Sequence, residues 1–396
     1  MVSKEVIMTH ISEREQELPD AVIGEIFRLT AEDKSIISLG PGQPDFPTPR
    51  PILDECKRAI YKATRYSSPG GVIELREALV KKLRKENNIK LGPENIIVTT
   101  GSQEAIFTAM LCTLDPAEEI IVPNPGYLAY IPAANLIHAV PVPLKLNEED
   151  GFEVNPDELR KLINKKRTKV ILINSPANPT GNVLKKRTLE EIAGIAREHD
   201  LYIFSDEAYE RLTYGTKHVS IGSLNGMGDH VITFQTFSKT FSMCGFRVGY
   251  CAGPKKLMQA IEKAHHYLTL AAPHISQLLA IKALTIKKSY IEKMRKEYER
   301  RRNFLVERLN EIGLRTTLPK GAFYTFSNIS EFSKDSTRFA RDLLKKSRVA
   351  VIPGVEFGKF GEGYIRCSYA TAYPMLEKAT ARIEKYLKKY DKSLRS

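Results

Sequence analysis

The chain has 396 residues, too many for one small core and suited to one large domain plus a smaller one. Its 42% hydrophobic content argues against disorder, no stretch approaches about 18 uncharged apolar residues, and residues 1–10 lack a signal-peptide core. Neither a membrane span nor secretion is expected, so the cytosol is the expected compartment, and the net charge of +13, scattered with Glu along helices as between Arg295 and Arg308, reads as solvated helix faces rather than a nucleic-acid surface.

In chain order, Gly40-Pro41-Gly42-Gln43-Pro44 is stiff and turn-rich, a connection rather than a strand. Apolar runs follow at residues 96–100, 119–123, 139–144, 170–174, 202–205, 231–237 and 248–253. Most are β-branched or aromatic, and several lack polar alternation, as in strands buried on both faces of a mostly parallel sheet. Helix signals lie between them. Asn155-Pro156-Asp157-Glu158 offers an N-cap, a proline at the first helical position and acids in the first turn, and Thr188 with Glu191 fits a capping box before a helix ending near Asp200.

The pattern changes at residues 290–313. Met294, Tyr298, Leu305, Leu309 and Ile312 recur at helical spacing and Gly313 suits the stop, predicting one long helix. Strands around 322–326, 349–352 and 364–368 and a basic helix from Tyr373 complete the chain. The expected organisation is a large α/β domain, 48–288, with a mostly parallel mixed sheet, and a smaller α+β domain from 1–47 and 289–396.

Five widely spaced cysteines without a Cys-x-x-Cys, and eight histidines without a ligand pattern, predict neither a disulfide framework nor a metal site. The chemistry-bearing residues cluster after predicted strands, where open α/β sheets bind ligands. Thr236-Phe237-Ser238-Lys239 leads on to Arg247-Val248-Gly249: two hydroxyls and an arginine fork suit a phosphate, and an amine kept from water among cations is a usable nucleophile. Alone, Lys239 would pass for a surface lysine. Gly101-Ser102-Gln103-Glu104-Ala105 opens a helix whose N–H groups suit an anion, and Ser102 also fits an ordinary N-cap. Asp206, at a buried strand end, needs a partner, with Glu207 its obvious competitor. Arg366, inside an apolar strand, needs one too, and a bidentate carboxylate is the natural choice.

This series resembles the class I and II aminotransferases of pyridoxal-phosphate fold type I, with the archaeal aromatic and aspartate-type members the nearest likeness. A hydroxylated triplet, the Schiff-base lysine, and an arginine eight positions on before an apolar residue and glycine match Lys239, Arg247 and Gly249; Thr236 stands where the family usually has Ser or Gly. The likeness spans roughly residues 35–375.

The resemblance implies a pyridoxal 5′-phosphate cofactor joined to Lys239. Its phosphate would lie among Ser102, Gln103, Thr236, Ser238 and Arg247, and Tyr127 flat against its ring. Asp206 would pair the ring nitrogen, with Asn178 and Tyr209 on the phenolic oxygen. Arg366 and the backbone N–H of Gly40 would take the substrate carboxylate beside Asn178, and Tyr66 would reach the neighbouring subunit's phosphate, implying a homodimer with shared active sites. The implied reaction is ping-pong transfer from an L-amino acid to a 2-oxo acid such as 2-oxoglutarate, with Lys239 moving the proton. Gln103 stands where some aspartate-preferring relatives carry Lys, which favours aromatic or broad-range donors. Aspartate, alanine or LL-diaminopimelate donors remain open, as does a C–S lyase on the same scaffold. An aminotransferase-like DNA-binding regulator is disfavoured, because about 35 residues precede the matched region.

Overall fold

The computed structural model describes Ser12, Glu15, Leu18 and residues 22–389. Residues 1–10, considered above for a leader, lie outside the described residues. After β1 (Ile37–Ser38), seven strands build the main sheet: β2 (Ile96–Thr99), β3 (Glu119–Asn124), β4 (Val140–Lys145), β5 (Thr168–Asn174), β6 (Tyr202–Asp206), β7 (Val231–Thr236) and β8 (Gly249–Ala252). Their order is β2-β8-β7-β6-β5-β3-β4. Strand β8 runs antiparallel to both its neighbours, and the other pairings are parallel.

Burial explains the unbroken apolar runs. Along β5, Ile171 and Ile173 enter one core while Val170 and Leu172 enter the core on the opposite face. The edge strand β4 differs: Val140 and Lys145 are exposed, and Pro141 and Pro143 blunt the edge.

A second group of strands follows: β9 (Tyr324–Asn328), β10 (Val349–Ala350), β11 (Ile352–Pro353) and β12 (Tyr364–Ser368). The order β11-β12-β9 is antiparallel, and β10 pairs in parallel with β1. The N-terminal segment thus joins these outer strands, and Ile26 shares a core with Ala350, Ile352 and Phe357. The long helix runs Lys288–Glu311, burying Met294, Tyr298, Leu305 and Leu309. It packs on β9 and on the terminal helix Tyr373–Lys388. Among the described residues no helix is long and apolar enough to cross a membrane.

Local expectations failed in four places. The run at 231–237 stops at Thr236, because Phe237 starts a short helix capped by the Thr236 hydroxyl. The run at 349–352 is two short strands serving different partners. The strand expected at 322–326 starts at Tyr324, because Ala322 sits in a left-handed conformation (φ 58°) with its N–H donated to the Leu212 carbonyl. Thr188 caps nothing: its helix starts at Lys186, and Glu191 pairs instead with Arg187 at 3.0 Å. Asn155 does cap its helix, accepting from the N–H groups of Asp157 and Glu158.

Candidate active site

The carboxyl ends of the parallel strands converge on a cavity of about 320 Å³. The turn after β2 brings Gly101, Ser102 and Gln103; β3 leads to Tyr127; β5 to Asn174 and Asn178; β6 brings Asp206 and Tyr209; β7 brings Thr236, Ser238 and Lys239. Arg247 and Gly42 join them, and the outer strands close the cavity with Tyr324 and Arg366.

One end is built for an anion. Gly101, not Ser102, occupies the N-cap of the Ser102–Thr113 helix, in a left-handed conformation (φ 86°) and with no side-chain cap. Ser102 is therefore the first helical residue, and the N–H groups of that first turn have no acceptor within the helix. The absence of a side chain at 101 leaves room for Arg247: a Cβ there would stand 2.6 Å from its Nη2. Arg247 donates to the carbonyls of Cys244 (3.1 Å) and Thr100 (3.3 Å). Thr236 donates through its hydroxyl to Ser238 Oγ at 3.0 Å and accepts from the Ser238 N–H at 3.2 Å. A helix start, two hydroxyl-bearing residues and one arginine thus line the same cavity.

Tyr127 donates to Gln103 Oε1 at 3.0 Å; burial, with the nearby Asp206 charge, pushes its phenol up to about 12. Asp206 is 6% exposed. Its Oδ2 accepts from the Tyr130 hydroxyl at 2.6 Å and its Oδ1 from the Ala208 N–H at 3.1 Å. Burial raises its carboxyl above the ordinary value despite these two donors, and the Glu207 charge adds to the rise. Glu207, the competitor, points to the other face. It is fully buried and accepts from Ser205 (2.9 Å), Ser220 (2.7 Å) and Gln235 (3.1 Å), away from the cavity.

The Lys239 ammonium donates to the Gly42 carbonyl and lies 5.7 Å from the centre of the Tyr209 ring. Tyr209 shares a hydrogen bond of 2.8 Å with Tyr324, and its phenol is raised by burial. Arg366, 1% exposed, donates from Nη1 to Asn178 Oδ1 at 3.0 Å and from Nη2 to the Gly40 carbonyl at 2.6 Å. Its plane lies over Tyr324 and Phe357, and its Nε has no partner. Gly40 therefore meets Arg366 through its carbonyl, whereas its N–H, expected on a substrate carboxylate, donates to Ser38 Oγ at 3.4 Å.

Tyr66 is not brought into the cavity; it is 87% exposed. The sequence reading missed Gly42, Asn174, Tyr130 and Tyr324. Tyr130 stands one helical turn beyond Tyr127, a weak signal available in the chain; the other three carried none.

The residues fit pyridoxal phosphate. The cradle at Gly101 suits its phosphate, a carboxylate and an amine line the same cavity, and a buried guanidinium lines it as well, a natural partner for a carboxylate.

The family described as Aminotransferase class I and II matches residues 34–383. An aspartate aminotransferase of Pyrococcus abyssi is 45% identical over 371 residues, covering 92% of this chain and 95% of that protein. Aromatic-amino-acid aminotransferase 2 of Thermococcus litoralis is 43% identical over 383 residues, covering 96% of this chain and 98% of that protein. The crystal structure of an aromatic aminotransferase from Pyrococcus horikoshii OT3 superposes with a TM-score of 0.87 at 44% identity, covering 92% of this chain and 98% of that one. The chain belongs to the class I and II aminotransferases, pyridoxal-phosphate-dependent transferases of fold type I.

Proposed function

We propose that this aminotransferase uses pyridoxal 5′-phosphate, held in the cavity between the sheet edge and the outer strands, to move the amino group of aromatic or broad-range L-amino acids to 2-oxoglutarate. The observation that carries the reading is the convergence of Lys239, Asp206, the anion cradle and the buried Arg366 on one cavity.

When bound, the cofactor supplies a carbonyl carbon for the amino group and a ring that accepts electrons. Ser102, Gln103, Thr236, Ser238 and Arg247 would hold its phosphate, and Tyr127 would pack against its ring. Asp206 stabilises a proton on the ring nitrogen. Tyr209 and the Asn178 amide would donate to its phenolic oxygen. Arg366, steadied by Asn178, binds the substrate α-carboxylate and so fixes which substrate bond faces Lys239. With its amine neutral and released from the cofactor, Lys239 Nζ would take and hold the proton from substrate Cα.

A second cavity of about 860 Å³ shares Gln103, Ile106, Tyr127, Leu128 and Arg247 with the first and extends to Phe107, Leu136 and Phe357. This apolar extension supports large donor side chains. Aspartate is the alternative donor, supported by the similarity to the Pyrococcus abyssi enzyme; alanine, LL-diaminopimelate and the C–S lyase reaction have no comparable support. The homodimer is supported by exposed aromatics, Tyr61, Tyr66 and Tyr267, more than four-fifths accessible in the single chain. Tyr66 would act in the second copy's site. Five free thiols support a reducing, cytoplasmic setting. The division into 48–288 and the remainder is supported by the separate sheets.

The test is a panel of the twenty standard amino acids with 2-oxoglutarate. Glutamate formation with Tyr or Phe is expected; no turnover with any donor overturns the substrate assignment. Ammonia with pyruvate instead of stoichiometric keto acid would identify elimination.

A further inference from the structure

Asp206 is held by two donors of different origin. The Ala208 N–H belongs to its own turn, two residues on. The Tyr130 hydroxyl arrives from 76 residues away, from the first residue of the helix Tyr130–Leu136 beyond β3. A carboxylate gripped by one local N–H can still swing about its side-chain bonds. A second donor from another element fixes its rotamer and leaves its remaining lone pairs toward the cavity. We infer that Tyr130 is a positioning residue for Asp206, keeping that carboxylate ionised and aimed at the ring nitrogen; the inference rests on the role proposed above for Asp206.

The chemistry of the donor matters. A phenol offers an O–H without bringing a charge. Burial, then the Asp206 charge, push the Tyr130 phenol well above its ordinary value, so it stays protonated and donates throughout the neutral range. The 2.6 Å length suits a hydroxyl donating to a carboxylate oxygen. This donor opposes the burial that disfavours the Asp206 charge. The other charged or titratable groups around Asp206 are Glu207 beside it, which also disfavours the charge, Lys239 after β7, which favours it, and the Tyr127 phenol.

Tyr130 has a second grip on the same site. Its ring meets Tyr127 edge to face, with centroids 5.4 Å apart at 76°. It lines the larger apolar cavity rather than the one containing Asp206, and so stands in the wall between the two. Tyr130→Phe keeps that ring packing and deletes only the O–H.

The experiment measures the affinity of apoenzyme for pyridoxal phosphate, by the cofactor's visible absorption, in wild type, Tyr130→Phe, Asp206→Ala and the double variant, with apoenzyme melting as the folding control. Tyr130→Phe is expected to weaken affinity about tenfold, the size of a charge-assisted hydrogen bond. The acid limb of its affinity–pH profile should move to higher pH, because the carboxylate protonates sooner without its donor. In the Asp206→Ala background the same substitution should change affinity less than about twofold. Equal losses in both backgrounds, or none in wild type, overturn the role of Tyr130 while leaving that of Asp206. Unchanged affinity in Asp206→Ala would instead remove the ring-nitrogen role, and the inference with it.

Discussion

A Cβ built on Gly249 would lie 2.6 Å from the backbone nitrogen of Ser102, 2.8 Å from the Gly101 carbonyl carbon and 2.9 Å from the Gln235 carbonyl oxygen. All three are main-chain atoms, so no side chain can swing away. The first strand residue after the Arg247 turn is thus pressed against the helix start that forms the anion cradle. Gly249→Ala should destabilise the protein by about 1–3 kcal/mol through overpacking and weaken cofactor affinity about tenfold or more. Gly245, with nothing within 4 Å of its Cβ position, is the control, and Gly245→Ala should change stability by less than about 0.5 kcal/mol. Denaturant melts and cofactor titrations of both variants decide.

Lys239→Ala removes the amine that faces the Gly42 carbonyl and the Tyr209 ring. Transamination should fall by at least about 10²–10⁴-fold, the contribution of a positioned proton-transfer group. Borohydride reduction of wild type should leave a pyridoxyl group on this lysine, seen by peptide mass, and none on the variant. A label on another lysine would reassign the attachment point.

Arg366→Lys keeps a charge but loses the fork that reaches Asn178 and Gly40. The value of kcat/KM should drop by about 10–100-fold, largely through KM if the arginine binds ground-state carboxylate. The fall should be common to all donors, since the α-carboxylate is common to all. Loss confined to one donor would place Arg366 at the side-chain pocket instead.

Behind the site, Lys82 and Glu210 form a buried ion pair, with Lys82 also donating to Asn87 Oδ1 at 2.8 Å. Burial alone would raise the Glu210 carboxyl; the charges of Lys82 and Arg211 and the donors Lys82 and Asn87 outweigh it and hold it below its ordinary 4.5. A depressed folded pKa stabilises above the ordinary value, and that stabilisation is lost as pH falls through the folded one. Lys82→Met should cost about 1–3 kcal/mol near neutral pH, because it removes the main charge partner of the carboxylate while Arg211, Asn87 and Gln235 remain. The stability gap between wild type and Glu210→Gln should hold from neutral pH down to about 4.5 and shrink below it. A gap unchanged down to about pH 3 would mean that the fold does not hold the Glu210 carboxyl below its ordinary value.

Burial on both faces made β5, β6 and β7 legible as apolar runs, and helical spacing made the Lys288–Glu311 helix legible to within two residues at each end. These are local properties: each follows from what neighbouring residues can bury. Thr188 shows their limit, because a capping pattern of the right spacing lost to a helix that starts two residues earlier.

By itself, the sequence determined the order of strands and helices, and it put Lys239, Asp206, Asn178 and Arg366 in segments that end at one sheet edge or in the outer strands. Only the tertiary structure decided that Tyr130 grips Asp206, that Tyr209 meets Tyr324 from 115 residues away, and that Gly40 turns its carbonyl to Arg366 from 326 away. The physical reason is range: strand and helix patterns come from burial within a few residues, whereas a hydrogen bond of 2.6–2.8 Å depends on how whole elements stack, which no local spacing encodes.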